Sequence, residues 1–162
     1  MTRGKINILV VDDDISHCTI LQALLRGWCY GLGLFLAGTS WVYVSIHDYG
    51  AASPALATFL TFGFWAGIAL FFALAAWLWA RWLRRTEAPL ADALAFAALW
   101  VALDAFRGWF LTGFPWLAAG YAQTPPSPLA GYAPVVGVYG LSFASALIGA
   151  LGAACILETT AG

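Results

Sequence analysis

The chain has 162 residues, of which 62% are hydrophobic and 9% are charged, with a formal net charge of −1. Soluble domains carry about 25% charged residues, so this composition excludes an ordinary soluble fold. The near-neutral charge gives no reason to expect a nucleic-acid partner. The apolar runs are longer than the roughly ten-residue alternating strands of a membrane barrel, which indicates an all-α integral membrane protein. Its three cysteines have no CxxC spacing, and no metal or cofactor is predicted.

The first 26 residues have a different character from the rest of the chain. Ile6 to Val11 is a short β-branched run typical of a buried strand, Asp12 to Asp14 would form a loop, and residues 15–26 have helical spacing. The pattern therefore predicts a short soluble βα segment at the N-terminus. Three adjacent acidic residues are more often a solvated loop than a metal site.

This segment, ILVVDDDISHCTILQALLRGW, resembles the first strand and helix of a response-regulator receiver domain. The resemblance implies that Asp12 and Asp13 correspond to the Mg²⁺-binding acidic pair of that family. The strand that carries the phosphoacceptor aspartate does not follow in the sequence. One βα unit cannot build the parallel sheet that such a site needs, so we expect no receiver activity.

Four apolar segments are long enough to cross a bilayer. A helix over residues 28–46 would be roughly 28 Å long, close to the thickness of the hydrocarbon core. The other predicted spans are residues 55–79, 90–110 and 135–157. Residues 111–134 form a predicted outer loop, because proline and glycine interrupt the helical pattern there. Basic residues Arg81, Arg84 and Arg85 follow the second span and indicate its cytoplasmic end, so both termini are expected in the cytoplasm.

Asp104 and Arg107 lie near the end of the third predicted span, where they share a helix face and can form an ion pair. Ionisable residues within a membrane usually face the interior of the bundle and are functional candidates. The alternative is a purely structural ion pair close to the interface, and we favour it slightly.

Residues at the outward ends of the spans are the candidates for contact with lipid or substrate. For the aromatic candidates, ordinary interfacial anchoring is the favoured explanation. For His47, a hydrogen-bonded cap at the end of a helix is favoured as well. The candidates are Trp41, Tyr43, His47, Asp48, Asp104, Arg107, Phe114, Trp116 and Tyr121.

Small residues recur four positions apart, at Gly27 and Gly31, at Gly63 and Gly67, and at Gly149 and Ala153. This spacing lets membrane helices pack closely, so we expect all three pairs at helix contacts.

Three longer strings carry a second resemblance. They are YGLGLFLAGTSWVYVSIHDYG at residues 30–50, PLADALAFAALWVALDAFRGWFLTGFPWLAAGYAQ at 89–123 and PLAGYAPVVGVYGLSF at 128–143. In this order they resemble the membrane domain of bacterial apolipoprotein N-acyltransferase, over about residues 26–157. The two resemblances meet near residues 25–28, so the sequence divides into a receiver-like fragment at 1–26 and a partial membrane domain at 27–162. Family members usually have Glu where Asp104 stands.

The resemblance implies an enzyme of the bacterial inner membrane that moves an acyl chain from a phospholipid to the N-terminal cysteine of a lipoprotein. In that family a periplasmic nitrilase-like domain supplies a Glu-Lys-Cys catalytic set through a covalent thioester. That domain lies beyond the last residue of this sequence, so no catalytic residue is predicted. We expect a transmembrane scaffold that does not transfer an acyl group by itself.

Its expected partners are the phospholipid bilayer and, by the same resemblance, a lipoprotein substrate or a separate nitrilase-like domain. Two alternatives stay open at this point. One is a membrane-anchored regulatory or scaffold protein of a two-component pathway. The other is an artefactual fusion without function, which the abrupt change in composition at residue 27 favours over a purposeful fusion.

Overall fold

The computed structural model describes residues 15–85, 87–110, 113–123 and 125–161. Helices α1 (Ile15–Gly38), α3 (Pro54–Leu78), α4 (Pro89–Arg107) and α5 (Ala133–Ala161) are long, and α2 (Trp41–Val44) is a single turn. Two π-helical turns, Ser45–Tyr49 and Trp79–Leu83, extend α2 and α3. Two 3₁₀ turns, Ala119–Ala122 and Pro128–Tyr132, lie between α4 and α5. The described residues contain no strand.

Four segments of these helices are long and apolar enough to cross a bilayer: Cys18–Gly38, Pro54–Leu83, Pro89–Arg107 and Pro128–Leu157. This confirms the predicted class and the predicted number of spans. The chain is a helical membrane protein.

The prediction for the first span is wrong at both ends. Helix α1 runs without a break from Ile15 to Gly38, whereas the sequence predicted a span over 28–46. Arg26 is the last residue of the predicted N-terminal fragment, yet it lies within α1. It is exposed on the helix surface, where a long basic side chain can extend toward the membrane surface. The backbone N–H and the hydroxyl of Thr39 both donate to the Phe35 carbonyl, at 2.8 and 2.7 Å, and close the last turn of α1. The chain then begins the separate helical turn α2 at Trp41.

The predicted soluble βα segment is not supported by this arrangement. Its helix, residues 15–26, forms, but as the first half of membrane helix α1. Its strand, Ile6 to Val11, and the acidic run Asp12 to Asp14 lie outside the described residues.

The bundle consists of two helix pairs, in which α1 packs along α3 and α4 packs along α5. Gly27 and Gly31 lie where α1 crosses α3, and a Cβ atom at Gly31 would stand 2.9 Å from the Cα atom of Ala69. These two glycines therefore meet the expectation for small residues at spacing four. Phe72 of α3 contacts Trp100 of α4 edge-on, with ring centroids 5.1 Å apart, and so joins the two pairs.

The segment after α4 is irregular, in agreement with the pattern of proline and glycine. Helix α4 ends at Arg107, three residues before the predicted end of the span at Phe110, and Gly108 follows as its cap. Gly113 has a φ of +80°, a conformation that glycine adopts readily. The backbone N–H of Gly120 donates to the Ser142 hydroxyl at 2.8 Å and fastens this segment to α5.

Candidate functional site

Asp104 and Arg107 form the predicted ion pair, and it is buried. Nη2 of Arg107 donates to Oδ1 of Asp104 at 2.8 Å, and the two side chains are only 2% and 5% exposed. Nη1 of Arg107 also donates to the backbone carbonyls of Phe114 and Trp116, at 2.8 and 2.6 Å. The guanidinium carbon lies 5.5 Å from the centre of the Phe35 ring. Arg107 therefore connects the end of α4 to the irregular segment that follows it.

Two aromatic residues of that segment are held against the other helices. The Phe114 ring lies 4.9 Å from that of Phe64 in α3 and 6.2 Å from that of Phe35 in α1. The Trp116 ring lies 5.7 Å from that of Trp41. Five of the nine candidate residues thus meet in one place, which we name the arginine–aromatic cluster: Trp41, Asp104, Arg107, Phe114 and Trp116.

Three other candidates form a separate group between α1 and α3. They are Tyr43 of α2 and two residues of the following π-helical turn, His47 and Asp48. Nδ1 of His47 donates to the Ala52 carbonyl at 2.8 Å, and its ring lies 5.5 Å from that of Tyr43. Nε2 of His47 is 3.9 Å from Oδ1 of Asp48. This geometry corresponds to the hydrogen-bonded cap that the sequence offered as an alternative for His47.

Tyr121 lies apart from both groups. It is 55% exposed in the 3₁₀ turn Ala119–Ala122. Among the described residues it has no hydrogen bond or ring contact with the arginine–aromatic cluster.

Beside the cluster, a cleft of about 660 Å³ opens between α3 and α4, which we name the α3–α4 cleft. Its walls are almost entirely apolar, and Arg107 and Phe114 stand at one end. Gly63 and Gly67 line it, and a Cβ atom at either position would meet nothing within 4 Å. The expectation that this glycine pair packs against another helix is therefore wrong. These glycines instead leave space in the cleft. The sequence contains no signal that distinguishes a glycine pair at a helix contact from a glycine pair that leaves space.

No three His, Cys, Asp or Glu side chains in the described ranges come together as a metal site would require. The arrangement offers an apolar groove, aromatic walls and one internally paired cation. Such a site suits the binding of a hydrocarbon chain, and it contains no arrangement of a nucleophile with a base.

Comparison with known proteins gives the relationship of the chain. The profile of the apolipoprotein N-acyltransferase N-terminal domain matches residues 8–151. The chain belongs to the apolipoprotein N-acyltransferase family. Proteins of that name from Azotobacter vinelandii and Pseudomonas aeruginosa are 69% and 70% identical to it over 129 and 130 residues, or 80% of this chain and 25% of each relative. The protein of that name from Pseudomonas putida is 64% identical over 146 residues, or 90% of this chain and 29% of the relative.

These acyltransferase matches bear on the predicted division of the chain. The chain spans about a quarter of the length of the curated relatives that it matches. The family match begins at residue 8, within the fragment predicted to be receiver-like. The relationship to a receiver domain therefore gains no support, whereas the relationship to the acyltransferase membrane domain is shown.

Proposed function

We propose that this chain is the part of an apolipoprotein N-acyltransferase that holds the acyl-donor phospholipid in the membrane. One acyl chain of the lipid lies in the α3–α4 cleft, and its ester end lies beside the arginine–aromatic cluster. The observation that carries the proposal is the position of this apolar cleft directly against the buried Arg107. In this role residues 27–162 are a partial membrane domain, and the chemistry belongs to a nitrilase-like domain.

The side chains of this chain position the donor and do not react with it. The acyl chain enters the cleft from the bilayer and not from water, so the apolar walls hold it by close van der Waals packing. Arg107 serves by fixing the backbone at Phe114 and Trp116, because its donors are directed at their carbonyls and at Asp104. The lipid therefore meets Phe114 and Trp116, while Asp104 and Arg107 are positioning residues.

The proposal includes an orientation in the bacterial inner membrane. The end of α3 with Arg81, Arg84 and Arg85 faces the cytoplasm, since basic residues are retained on that side. The arginine–aromatic cluster then lies in the outer leaflet, where a lipoprotein substrate and a nitrilase-like domain would meet it. The proposal concerns the membrane bundle, which begins with α1 at Ile15. It gives residues 1–14 no role.

A chimaera tests the proposal. The 130 matching residues of the Pseudomonas aeruginosa relative are replaced by those of this chain, and conversion of a diacylated to a triacylated lipopeptide is measured by mass spectrometry. We expect the chimaera to transfer the acyl group. A correctly folded chimaera without activity would exclude the scaffold role.

Two glycine variants of the chimaera test the cleft itself. Gly67→Leu fills the α3–α4 cleft, whereas Gly33→Leu adds the same side chain to α1, where a Cβ atom also meets nothing within 4 Å. A leucine at position 67 occupies the space of the acyl chain and displaces the donor from its position for reaction, so a loss of transfer of about tenfold or more follows. We expect that loss for Gly67→Leu and full activity for Gly33→Leu. Equal rates for the two variants would contradict the proposed seat of the acyl chain.

A further inference from the structure

A second cleft, of about 600 Å³, opens at the other end of the bundle between α4, α5 and the end of α3. We name it the α4–α5 cleft. Its volume lies within the range of about 300–1,000 Å³ that is typical of ligand sites. None of the nine candidate residues lines it, although one of its lining residues, Ala119, lies beside Asp104 of the arginine–aromatic cluster.

The inner part of this cleft is mainly apolar and asymmetric, and it includes the buried indole N–H of Trp100, which has no hydrogen-bond partner among the described residues. Phe96 and Trp100 of α4 form one wall, and Gly149, Ala150 and Ala153 of α5 form the other. A Cβ atom at Gly149 would meet nothing within 4 Å. The pair Gly149 and Ala153, expected at a helix contact, therefore leaves an open channel opposite two aromatic rings. A single hydrocarbon chain fits such a channel.

The mouth of the cleft is cationic. Arg84 and Arg85 line it and are exposed, and neither forms an ion pair within the described residues. The Arg84 guanidinium carbon lies 5.5 Å from the centre of the Trp79 ring. Both guanidinium groups therefore keep their N–H donors available to an anion.

Asp92 is the acidic residue among those that line the cleft. Its Oδ1 atom accepts from Nε1 of Trp79 and from the backbone N–H of Arg85, each at 3.0 Å. The carboxylate thus fixes the turn that carries the two arginines against α4. With two cations and one hydrogen-bonded carboxylate, the mouth attracts anions.

We propose that the α4–α5 cleft binds one anionic glycerophospholipid from the leaflet at the Arg84–Arg85 end. Its phosphate lies between the two guanidinium groups, which suit phosphate oxygens in charge and geometry. One acyl chain runs along Gly149 and Ala153 toward Trp100. Basic pockets between membrane helices recognise lipid headgroups in this way. The site is distinct from the α3–α4 cleft and does not depend on the acyl-donor role of that cleft.

Native mass spectrometry of the purified full chain tests the proposal. The chain is released from nanodiscs of phosphatidylcholine that contain increasing fractions of phosphatidylglycerol, and the retained lipid is identified. We expect one retained phosphatidylglycerol per chain, preferred about tenfold over phosphatidylcholine, because phosphatidylcholine offers the same phosphate but adds a choline cation that the two guanidinium groups repel. Retention of both lipids in proportion to their abundance would contradict an anionic site. So would a lipid-free dimer, which would assign the cleft to a second copy of the chain.

Matched variants separate the cleft from general surface charge and general packing. Arg84→Ala with Arg85→Ala removes the mouth, whereas Arg26→Ala with Arg81→Ala removes two exposed cations that do not line the cleft. Gly149→Leu blocks the channel, whereas Gly152→Leu adds the same side chain on α5 outside the cleft, also into open space. We expect the first member of each pair to lose the preference and the second to keep it. Equal loss within either pair would overturn the proposal.

A photocrosslinking measurement on the unaltered chain keeps the proposal testable if a variant does not fold. A phosphatidylglycerol with a photoreactive group near the end of one acyl chain is added to the nanodiscs, and the labelled peptides are mapped. We expect labels at Phe96, Trp100 and Gly149. Labels confined to the outer surfaces of α1 and α3 would contradict the proposed path of the acyl chain.

Discussion

Arg107 has a structural role that its position in the sequence does not reveal. Its guanidinium group joins the carboxylate of Asp104 to two backbone carbonyls, those of Phe114 and Trp116. A buried ion pair stabilises a protein only when further hydrogen bonds offset its loss of hydration. Here the two carbonyls supply those bonds to Arg107 and fix the position of the irregular segment after α4, whereas Oδ2 of Asp104 is buried with no hydrogen-bond partner among the described residues.

Replacing Arg107 by alanine is therefore expected to be costly. Arg107→Ala leaves the buried Asp104 carboxylate without a counter-ion and two carbonyls without donors, so we expect a loss of about 3–5 kcal/mol in the free energy of unfolding. The loss is measured by chemical unfolding in detergent micelles. Arg81→Ala, at an exposed position on the Trp79–Leu83 turn, is the control and should stay within about 0.5 kcal/mol of the unaltered chain. A cost for Arg107→Ala no larger than that of the control would show that the carboxylate is hydrated.

The two halves of this site were not equally predictable. Spacing along a helix places Asp104 beside Arg107, so the pair follows from the sequence. The carbonyls of Phe114 and Trp116 do not follow, because their positions depend on a path through Gly113 and Leu117, which have φ values of +80° and +61°. The chosen backbone conformation at such residues is decided by tertiary contacts. The sequence offered Phe114 as a contact for lipid or substrate, which stays a prediction, and it did not indicate the ring contacts of Phe114 with Phe35 and Phe64 of distant helices.

At the level of whole helices, the end of α1 shows the limit of hydropathy. Residues 28–46 carry no charge, so their mean hydropathy does not reveal the turn at Thr39. At this turn the Thr39 hydroxyl donates to the Phe35 carbonyl and accepts from Nε1 of Trp65 in α3 at 2.9 Å. The second of these bonds joins residues 26 positions apart in the chain. Composition predicts the number of spans well, whereas it does not show contacts between residues so far apart.

Glycines at the same spacing are expected to respond differently to substitution. At Gly31 an added Cβ atom would stand 2.9 Å from the backbone of α3 at Ala69, whereas at Gly63 it would enter open space. We expect Gly31→Ala to lower the free energy of unfolding by about 1–3 kcal/mol through overpacking. Gly63→Ala should be neutral or stabilise by up to about 1 kcal/mol, since alanine favours the helix. Unfolding of both variants in the same detergent measures the difference, and equal effects would mean that α1 does not cross α3 at Gly31.

Across the bundle, the two clefts carry their basic residues at opposite ends. The α3–α4 cleft ends at the arginine–aromatic cluster, and the α4–α5 cleft ends at Arg84 and Arg85. Between them, the contact of Phe72 with Trp100 closes the middle of the bundle. If the two ends face different membrane surfaces, each cleft opens to a different leaflet. The proposed acyl donor and the proposed anionic lipid therefore come from separate pools.

The orientation of the bundle decides which leaflet serves which cleft, and thiol labelling measures it. In a chain whose native cysteines are replaced by serine, Tyr49→Cys and Trp82→Cys place single thiols at opposite ends, where the native side chains are 87% and 65% exposed. We expect an impermeant maleimide to label Tyr49→Cys in intact spheroplasts and Trp82→Cys only after permeabilisation. The reason is the basic cluster beside Trp82, because short loops rich in Lys and Arg generally stay on the cytoplasmic side. The reverse pattern would move the α3–α4 cleft to the cytoplasmic leaflet, where a periplasmic catalytic domain cannot reach it.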